Sequence, residues 1–174
     1  MAILPILVNP EPALKTVSQP VSQVDEFVRK QMQDMLETMY SAPGIGLAAN
    51  QVNMLNRVLV MDLANVSAGE EKSPICMANP EIIFASDERS TWDEGCLSLP
   101  EHYAEVERPA VVRVKYIDEN NQEQEVELEG LASHCVQHEI DHLNGIVFVD
   151  HLSRLKKNII LKKVAKIKKG MDIL

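Results

Sequence analysis

Residues 138–142 read His138-Glu139-Ile140-Asp141-His142, and this stretch predicts the helix around which the chain is organised. Two histidines four positions apart on a helix lie about 40° apart around its axis and one turn apart along it. Both imidazoles can therefore bind one metal ion, while Glu139 lies close enough to act on a metal-bound water. The pattern predicts a metal-dependent hydrolase. Two unrelated histidines on a solvated helix face are the alternative.

The flanking segments predict an α+β fold, with mixed or antiparallel strands packed around this central helix. Ser133 is a candidate N-cap of the helix, and Asn144-Gly145 is a candidate end. An earlier helix is predicted to begin at Ser22, and a last helix to span residues 152–169. The apolar face of this last helix is predicted to consist of Leu152, Leu155, Ile159, Ile160, Val164 and Ile167. The polar stretch 65–73 is predicted to be a loop. Strands are predicted where apolar residues run or alternate, at 57–63, 74–77, 81–85, 111–118, 123–131 and 146–149.

Length and composition narrow the class of protein. The 174 residues fit one domain, predicted to span 1–174, with 45% hydrophobic and 25% charged residues. We find no resemblance to a secretion signal and no apolar stretch long enough to cross a membrane. Cys76, Cys96 and Cys135 cannot all pair within one chain. We therefore expect a cytoplasmic protein with free thiols and no membrane partner.

Charge is distributed unevenly along the chain. Residues 1–153 hold 25 acidic and 9 basic side chains, whereas residues 154–174 hold 8 basic side chains and one acid. The net charges are therefore −16 and +7. A solvated lysine face on an ordinary packed helix is one interpretation of the basic end, and attraction to a polyanion is the other.

A catalytic metal site usually takes three protein ligands and leaves a position for water. Cys96 is the favoured third ligand because it lies in a glycine-containing turn, Glu94–Ser98. Cys135 lies one turn before His138 and is interpreted as a small core residue. A glutamate downstream of the motif, as in many metalloproteases, is the alternative, but no glutamate follows His142.

The segment Gly44–Gln51 (GIGLAANQ) also has features of a binding site. Its paired glycines let the backbone pass close to another chain or a ligand, and Gln51 offers an uncharged amide donor. A tight turn between a helix and a strand would produce the same pattern.

Three segments in this order resemble the three motifs of the peptide deformylase family: GIGLAANQ at 44–51, EGCLS at 94–98 and QHEIDH at 137–142. Their order, their spacing and the final helix all fit, so the resemblance covers essentially the whole chain. It implies removal of the N-formyl group from the formyl-methionine end of nascent polypeptides, with release of formate.

The resemblance also implies roles for individual residues. Glu139 is the general base and acid, and the Gln51 amide and the Leu97 N–H stabilise the charge that develops on the formyl oxygen. The metal is Fe²⁺ natively, with Zn²⁺, Ni²⁺ or Co²⁺ able to substitute. Its ligands are Cys96, His138 and His142.

A pocket for the methionine side chain follows from the same resemblance. The position of His134 is commonly Ile or Val in the family, so a ring nitrogen here either escapes to solvent, which we favour, or changes the pocket's preference. Arg108 is a candidate partner of Glu94 or Asp141, with a solvated arginine as the alternative. The implied pocket and backbone contacts are Ile45, Gly46, Trp92, His134, Cys135 and Leu97.

The resemblance implies that the basic C-terminal helix, residues 154–174, docks on ribosomal RNA or protein near the tunnel exit; no DNA partner is expected. A zinc peptidase of the HExxH type is the alternative enzyme. A nucleic-acid-binding domain with a structural metal is the non-catalytic alternative, although structural sites normally fill four ligand positions. The candidate phosphate contacts are Lys156, Lys157, Lys162, Lys163, Lys166, Lys168 and Lys169.

Overall fold

The computed structural model describes residues 2–64 and 68–173, with side chains described through residue 171. Within these residues the helices are α1 (Glu26–Ser41), α2 (Gly130–Leu143) and α3 (Arg154–Ile173). The strands are β1 (Gly46–Ala48), β2 (Val58–Met61), β3 (Ile75–Ala85), β4 (Arg89–Cys96), β5 (Leu99–Pro109), β6 (Val111–Ile117) and β7 (Glu123–Glu129). The predicted α+β class, with its central helix and C-terminal helix, is confirmed. No helix in the described part of the chain is long and apolar enough to cross a membrane.

The strands form two antiparallel units. Five strands build a sheet in the order β1-β2-β3-β6-β7, whereas β4 and β5 form a separate two-stranded ribbon. The hairpin predicted at residues 111–131 is confirmed: β6 and β7 pair from Val111↔Glu129 to Ile117↔Glu123. The ribbon was not predicted, because most side chains of its strands are charged, polar or exposed and form no apolar run.

Strand β2 is buried on both faces, which explains its unbroken apolar run. Val58 and Val60 belong to a cluster with the methionines of α1. Leu59 and Met61 belong to a second cluster, with Ile140 and other residues of α2. Because successive side chains of a strand point to opposite faces, the sheet lies between α1 and α2. This packing holds the motif helix in place.

Helix α2 begins before its predicted cap. It follows directly from β7 at Gly130, which has a φ of +61°. Ser133 lies inside the helix, where its hydroxyl donates to the carbonyl oxygen of Pro109 at 3.1 Å. The helix ends at the predicted Asn144-Gly145. A Cβ at Gly145 would lie 2.5 Å from the carbonyl oxygen of Lys15, so glycine is required there by both contact and its φ of +76°.

Other boundaries differ from the predictions for local reasons. Helix α1 begins at Glu26 rather than near Ser22, because the Asp25 carboxylate accepts the N–H of Val28 at 3.0 Å and caps the helix. The two strands predicted at 74–77 and 81–85 are one strand, β3, with a register shift around Asn79, which has a φ of +50°. Of the predicted loop at 65–73, residues 65–67 lie outside the described residues.

The strand predicted at 146–149 is wrong. A short 3-10 helix, Phe148–His151, occupies this region because the Asp150 carboxylate turns back and accepts the N–H of Val147 at 3.0 Å. Phe148 and Val149 are buried there in a third cluster, with residues of β5 and α3. The apolar run therefore packs against the ribbon without joining a sheet.

Helix α3 packs on the ribbon through a narrower apolar stripe than predicted. Val164 is fully buried, and Ile160 and Leu161 pack beside it. In contrast, Leu155 is 71% exposed and Ile159 is 46% exposed. The predicted helix is confirmed, but the first part of its predicted apolar face lies in solvent.

Candidate metal centre

Helix α2 and the tip of the β4–β5 ribbon bring Cys96, His138 and His142 together. The Cys96 Sγ lies 3.2 Å from Nε2 of His142, which in turn lies 3.2 Å from Nε2 of His138. All three ligand atoms lie within 4.8 Å of one another, and among the described residues no other group of three His, Cys, Asp or Glu side chains is arranged to hold a metal. A thiolate with two imidazoles fits one Fe²⁺, Zn²⁺, Ni²⁺ or Co²⁺ ion.

Glu94, on β4, fixes the orientation of His138. Its Oε1 lies 2.9 Å from Nδ1 of His138, and an ionised carboxylate only accepts, so Nδ1 carries the proton and Nε2 is free for a metal. Arg108 donates two further hydrogen bonds to this carboxylate, at 2.7 and 3.0 Å. Burial alone would raise the pKa of Glu94, but the bonds from His138 and Arg108 outweigh it and hold the pKa well below its usual range.

Arg108 connects the ribbon to α2. Besides Glu94, it binds Asp141, with Nη1 donating at 2.8 Å, and its own side chain is 5% exposed. Asp141 also contacts Nε2 of His151 at 2.8 Å. Both predicted partners of Arg108 are therefore bound at once, and the solvated-arginine alternative is wrong.

Glu139 is buried next to the cluster but has a different environment. Its Oε1 has no hydrogen-bond partner among the described residues. Burial raises its pKa to about 7, opposed in part by the charge of His138. Gly46 of β1 lies against this carboxylate, and a Cβ there would come within 2.6 Å of the Glu139 Oε2. The glycine motif thus lets the β1 backbone pass directly beside Glu139.

Gln51 lies in the short 3-10 helix Ala49–Val52 that follows β1, with its side chain buried. Its Nε2 donates to Oγ of Ser98 at 3.1 Å and lies 3.6 Å from Sγ of Cys96. Its Oε1 accepts the N–H of Ala48 at 3.0 Å. The first and second motifs therefore meet at Cys96, beside the ribbon turn that contains Leu97.

A cavity of about 440 Å³ opens in front of the cluster. Trp92, a predicted pocket residue, is not among the residues that line it; its ring is 39% exposed and lies 6.1 Å from the His134 ring, centroid to centroid. Cys135 is both buried in the core, as first interpreted, and at the cavity wall. The predicted residues that do line the cavity are Ile45, Gly46, Gln51, Cys96, Leu97, His134, Cys135, His138 and Glu139.

His134 does not reach solvent. It is 1% exposed, with Nδ1 lying 3.1 Å from Oε2 of Glu94 and Nε2 lying 2.9 Å from Oγ of Ser90. The favoured interpretation, a ring whose tip escapes to solvent, is wrong because both ring nitrogens have partners inside the protein.

The sequence assigned Glu94 a role only as a candidate partner of Arg108, and it assigned none to Ser90 or Ser98. One signal pointed to Glu94: it lies two residues before Cys96, and residues i and i+2 of a strand share a face. Ser98 closes the second motif, but its contact with Gln51, like that of Ser90 with His134, forms only through the tertiary fold.

Comparison with known proteins agrees with this geometry. The family model for polypeptide deformylase matches residues 3–158. The chain is 57% identical to a peptide deformylase of Phenylobacterium zucineum over 95% of this chain and 97% of that protein. It is 50% identical to a peptide deformylase of Rhizobium meliloti over 95% and 94%.

Solved structures show the same likeness. The crystal structure of peptide deformylase from Ehrlichia chaffeensis superposes with a TM-score of 0.91 at 37% identity, covering 99% of this chain and 100% of that one. A second structure from that organism, in complex with actinonin, gives a TM-score of 0.90 at 40% identity over 95% and 98%. Three motifs converge on one cluster, and both the sequence and the fold match peptide deformylases along nearly the whole chain. The chain therefore belongs to the polypeptide deformylase family.

Proposed function

We propose that residues 1–174 form one domain that removes the formyl group from N-formylmethionyl peptides with Glu139 as general base. The chain is a metal-dependent hydrolase of the peptide deformylase type, for which nascent formylated polypeptides are the substrate. The observation that carries the assignment of residues is the buried Glu139 carboxylate, one oxygen of which has no hydrogen-bond partner in the described residues. It lies beside three converging ligands at a cavity wall.

Glu139 is suited to both proton transfers of the reaction. In the metal-free site burial raises the pKa of Glu139 to about 7, so its base and acid forms are both accessible near neutral pH. As base, the carboxylate accepts a proton from the attacking water; as acid, it then delivers a proton to the departing amine of methionine. When bound to Cys96, His138 and His142, a divalent metal lowers the pKa of its water from about 16 to near 7 and polarises the formyl oxygen.

Gln51 and Leu97 are proposed to stabilise the negative charge that develops on the formyl oxygen. One N–H of the Gln51 amide is held by Ser98, and this bond points the amide towards Cys96. The Leu97 N–H lies in the ribbon turn next to the same ligand. Donors fixed in place before the reaction need no reorganisation when charge develops.

The methionine side chain is proposed to enter the cavity beside Ile45, His134 and Cys135, with Gly46 and Leu97 along the substrate backbone. The Cys135 thiol donates to the carbonyl oxygen of Ile45 at 3.6 Å, and burial raises its pKa well above the usual value. A protonated, hydrogen-bonded thiol is compatible with an apolar substrate group. Trp92 lies outside this wall, with its ring centroid 6.1 Å from that of His134.

Fe²⁺ is proposed as the metal in the cell, with Zn²⁺, Ni²⁺ or Co²⁺ able to replace it. The thiolate ligand donates negative charge and suits all four ions. An Fe²⁺ site with a thiolate is sensitive to oxygen at both the metal and the sulfur. Metal analysis of protein purified without oxygen tests the identity, and an excess of Zn²⁺ over Fe²⁺ under those conditions would contradict it.

Formate release from formyl-Met-Ala is the direct test of the proposed activity. We expect formate from this peptide and no cleavage of unformylated Met-Ala. The HExxH-type peptidase is not favoured by the family assignment. Cleavage of Met-Ala without formate release from the formylated peptide would support that alternative and overturn the proposal.

The exposed lysines of α3 are proposed to contact the ribosome, which would place the protein in the cytoplasm. Two members of the predicted set are already paired: Lys157 with Asp150 and Lys168 with Glu11, both at 2.6 Å. The remaining candidates are exposed, at Lys156, Lys162, Lys163, Lys166 and Lys169.

Charge reversal tests this surface. Lys163→Glu should weaken salt-sensitive ribosome binding more than Lys15→Glu, a reversal of an exposed lysine outside α3, while formate release from formyl-Met-Ala persists in both. Equal ribosome binding by the two variants, and by a variant with all five α3 lysines reversed, would contradict the proposal.

A further inference from the structure

The Glu94 carboxylate accepts four hydrogen bonds from three side chains. Its Oε1 accepts from His138 at 2.9 Å and from Arg108 at 3.0 Å. Its Oε2 accepts from Arg108 at 2.7 Å and from His134 at 3.1 Å. An ionised carboxylate offers about four acceptor positions, so this one is saturated. His134 supplies one of the four donors.

The position of His134 follows from the helix that carries the metal ligands. His134, His138 and His142 are spaced four apart on α2, and residues at this spacing lie on one face of a helix. The second and third histidines converge with Cys96, whereas the first contacts the carboxylate that orients the second. Glu94 thus lies between the Nδ1 atoms of His134 and His138, one on each oxygen.

The hydrogen-bond directions around His134 are fixed by chemistry. The Glu94 carboxylate accepts only, so Nδ1 of His134 is the donor. In the neutral ring Nε2 then accepts from the Ser90 hydroxyl, at 2.9 Å. The ring is 1% exposed, so no water competes for either nitrogen.

We infer that His134 is a positioning residue for the metal ligand His138, and that it acts through Glu94. Without the His134 donor, Oε2 retains only Arg108, and the carboxylate is less restrained in rotating away from His138. Removal of a group that orients a metal-bound histidine through its other ring nitrogen typically lowers metal affinity about 10- to 100-fold. This inference deepens the proposed function, because it concerns the metal that the proposed reaction requires.

Two amide substitutions separate the two sides of the ring. The amide nitrogen of asparagine falls near the position of Nδ1 of histidine, and that of glutamine near Nε2. His134→Asn therefore keeps a donor towards Glu94 and loses the contact with Ser90. His134→Gln keeps a contact with Ser90 and loses the donor to Glu94. Ser90→Ala is the matched control, since it removes the Ser90 hydroxyl and leaves His134 and Glu94 in contact.

The measurement is the rate at which Zn²⁺- or Co²⁺-loaded protein releases its metal to a chelator, together with the visible spectrum of the Co²⁺ form. We expect His134→Gln to release metal at least about 10-fold faster than wild type, with an altered Co²⁺ spectrum, and His134→Asn and Ser90→Ala to stay within about twofold. Thermal unfolding of each loaded variant shows whether it is folded.

Two results would overturn the inference: His134→Gln releasing metal at the wild-type rate, or folded His134→Asn releasing it as fast as His134→Gln. If His134→Gln does not fold, the folded His134→Asn protein decides alone. Metal release about 10-fold faster than that of Ser90→Ala contradicts the inference, and release at a similar rate supports it. Metal release is independent of turnover. A wild-type protein that binds metal but releases no formate would refute the proposed function and leave this inference standing.

Discussion

Glu94 and Glu139 are two glutamates buried on different sides of the same cluster, with exposed fractions of 7% and 4%. Glu94 accepts four hydrogen bonds, and its pKa lies well below the usual range. Glu139 keeps an oxygen without a partner in the described residues, and its pKa rises to about 7. Burial is common to both, so the hydrogen-bond partners decide which carboxylate is held as an anion.

This difference in pKa assigns the two glutamates different roles: Glu94 helps to hold the metal ligand, and Glu139 transfers a proton. Glu94 lies on the ribbon and faces the back of His138, where a fixed charge orients a ligand. Glu139 lies beside Gly46 at the cavity, where a pKa near neutral suits a group that must both take and give a proton. Substitutions on the two sides of the cluster should therefore affect different properties of the protein.

The largest expected effect on stability comes from removing the arginine that binds Glu94. Arg108→Met removes two donors from Glu94 and one from Asp141 and leaves buried charge uncompensated, so the free energy of unfolding should fall by about 3–5 kcal/mol. Denaturant unfolding of the metal-loaded protein measures it. Arg113→Met is the matched control, because its pair with Glu127 is exposed and should contribute less than about 1 kcal/mol. Equal losses in the two variants would show that the Arg108 network does not brace the site.

A smaller effect, on turnover, is expected when Gln51 is substituted at the cavity. Gln51→Met removes the amide and keeps the side-chain volume, so kcat for formyl-Met-Ala should fall by about 10²–10³, or about 2.7–4 kcal/mol in barrier height. Ser98→Ala keeps the Gln51 amide but removes the hydroxyl that orients it, so the loss in kcat should be smaller. Similar kcat values for Gln51→Met and wild type would remove Gln51 from the proposed oxyanion contacts.

A third expected effect is a pH dependence of stability, with opposite sign for the two carboxylates. Because the folded pKa of Glu139 is raised from 4.5 to about 7, the metal-free protein should lose stability as pH rises through this window, on the order of 3 kcal/mol. Glu94, with a lowered pKa, contributes stability above about pH 4.5 that is lost as pH falls.

Unfolding free energies at pH 5 and pH 8 test the sign for Glu139. Glu139→Gln should abolish most of the loss between the two values, and Glu94→Gln should not. A wild-type protein whose unfolding free energy changes between pH 5 and pH 8 in the same way as that of Glu139→Gln would contradict the assignment of the two environments.

Local patterns in the sequence predicted much of the site, and the fold supplied the rest. The spacing of His138 and His142 places both imidazoles on one helix face, and this prediction needs no knowledge of the tertiary structure. The contact of Glu94 with His138 joins residues 44 positions apart across two elements, so no local pattern encodes it. His134 shows the same limit. Its polarity was visible, but its partners Ser90 and Glu94 were not, and the solvent-exposed interpretation failed for that reason.

The fold, like the site, was predicted from the sequence only in part. Alternating residues predicted the β6–β7 hairpin, and an apolar run predicted β2, because both follow from burial on one or two faces of a sheet. The ribbon that carries Cys96 has exposed, charged strands and was missed. Leu155 and Ile159 continue the helical period of α3 but extend beyond the surface that covers Val164, so periodicity alone overestimated the buried face.

Parallel assays of bound metal and formate release in Glu139→Gln and Glu94→Gln test the separation of roles most directly. Glu139→Gln should bind metal like wild type and lose about 10²–10⁴ in kcat. Glu94→Gln should bind metal about 10- to 100-fold more weakly and recover much of its turnover when metal is supplied in excess. A Glu139→Gln protein that keeps its metal and releases formate at the wild-type rate would contradict the account.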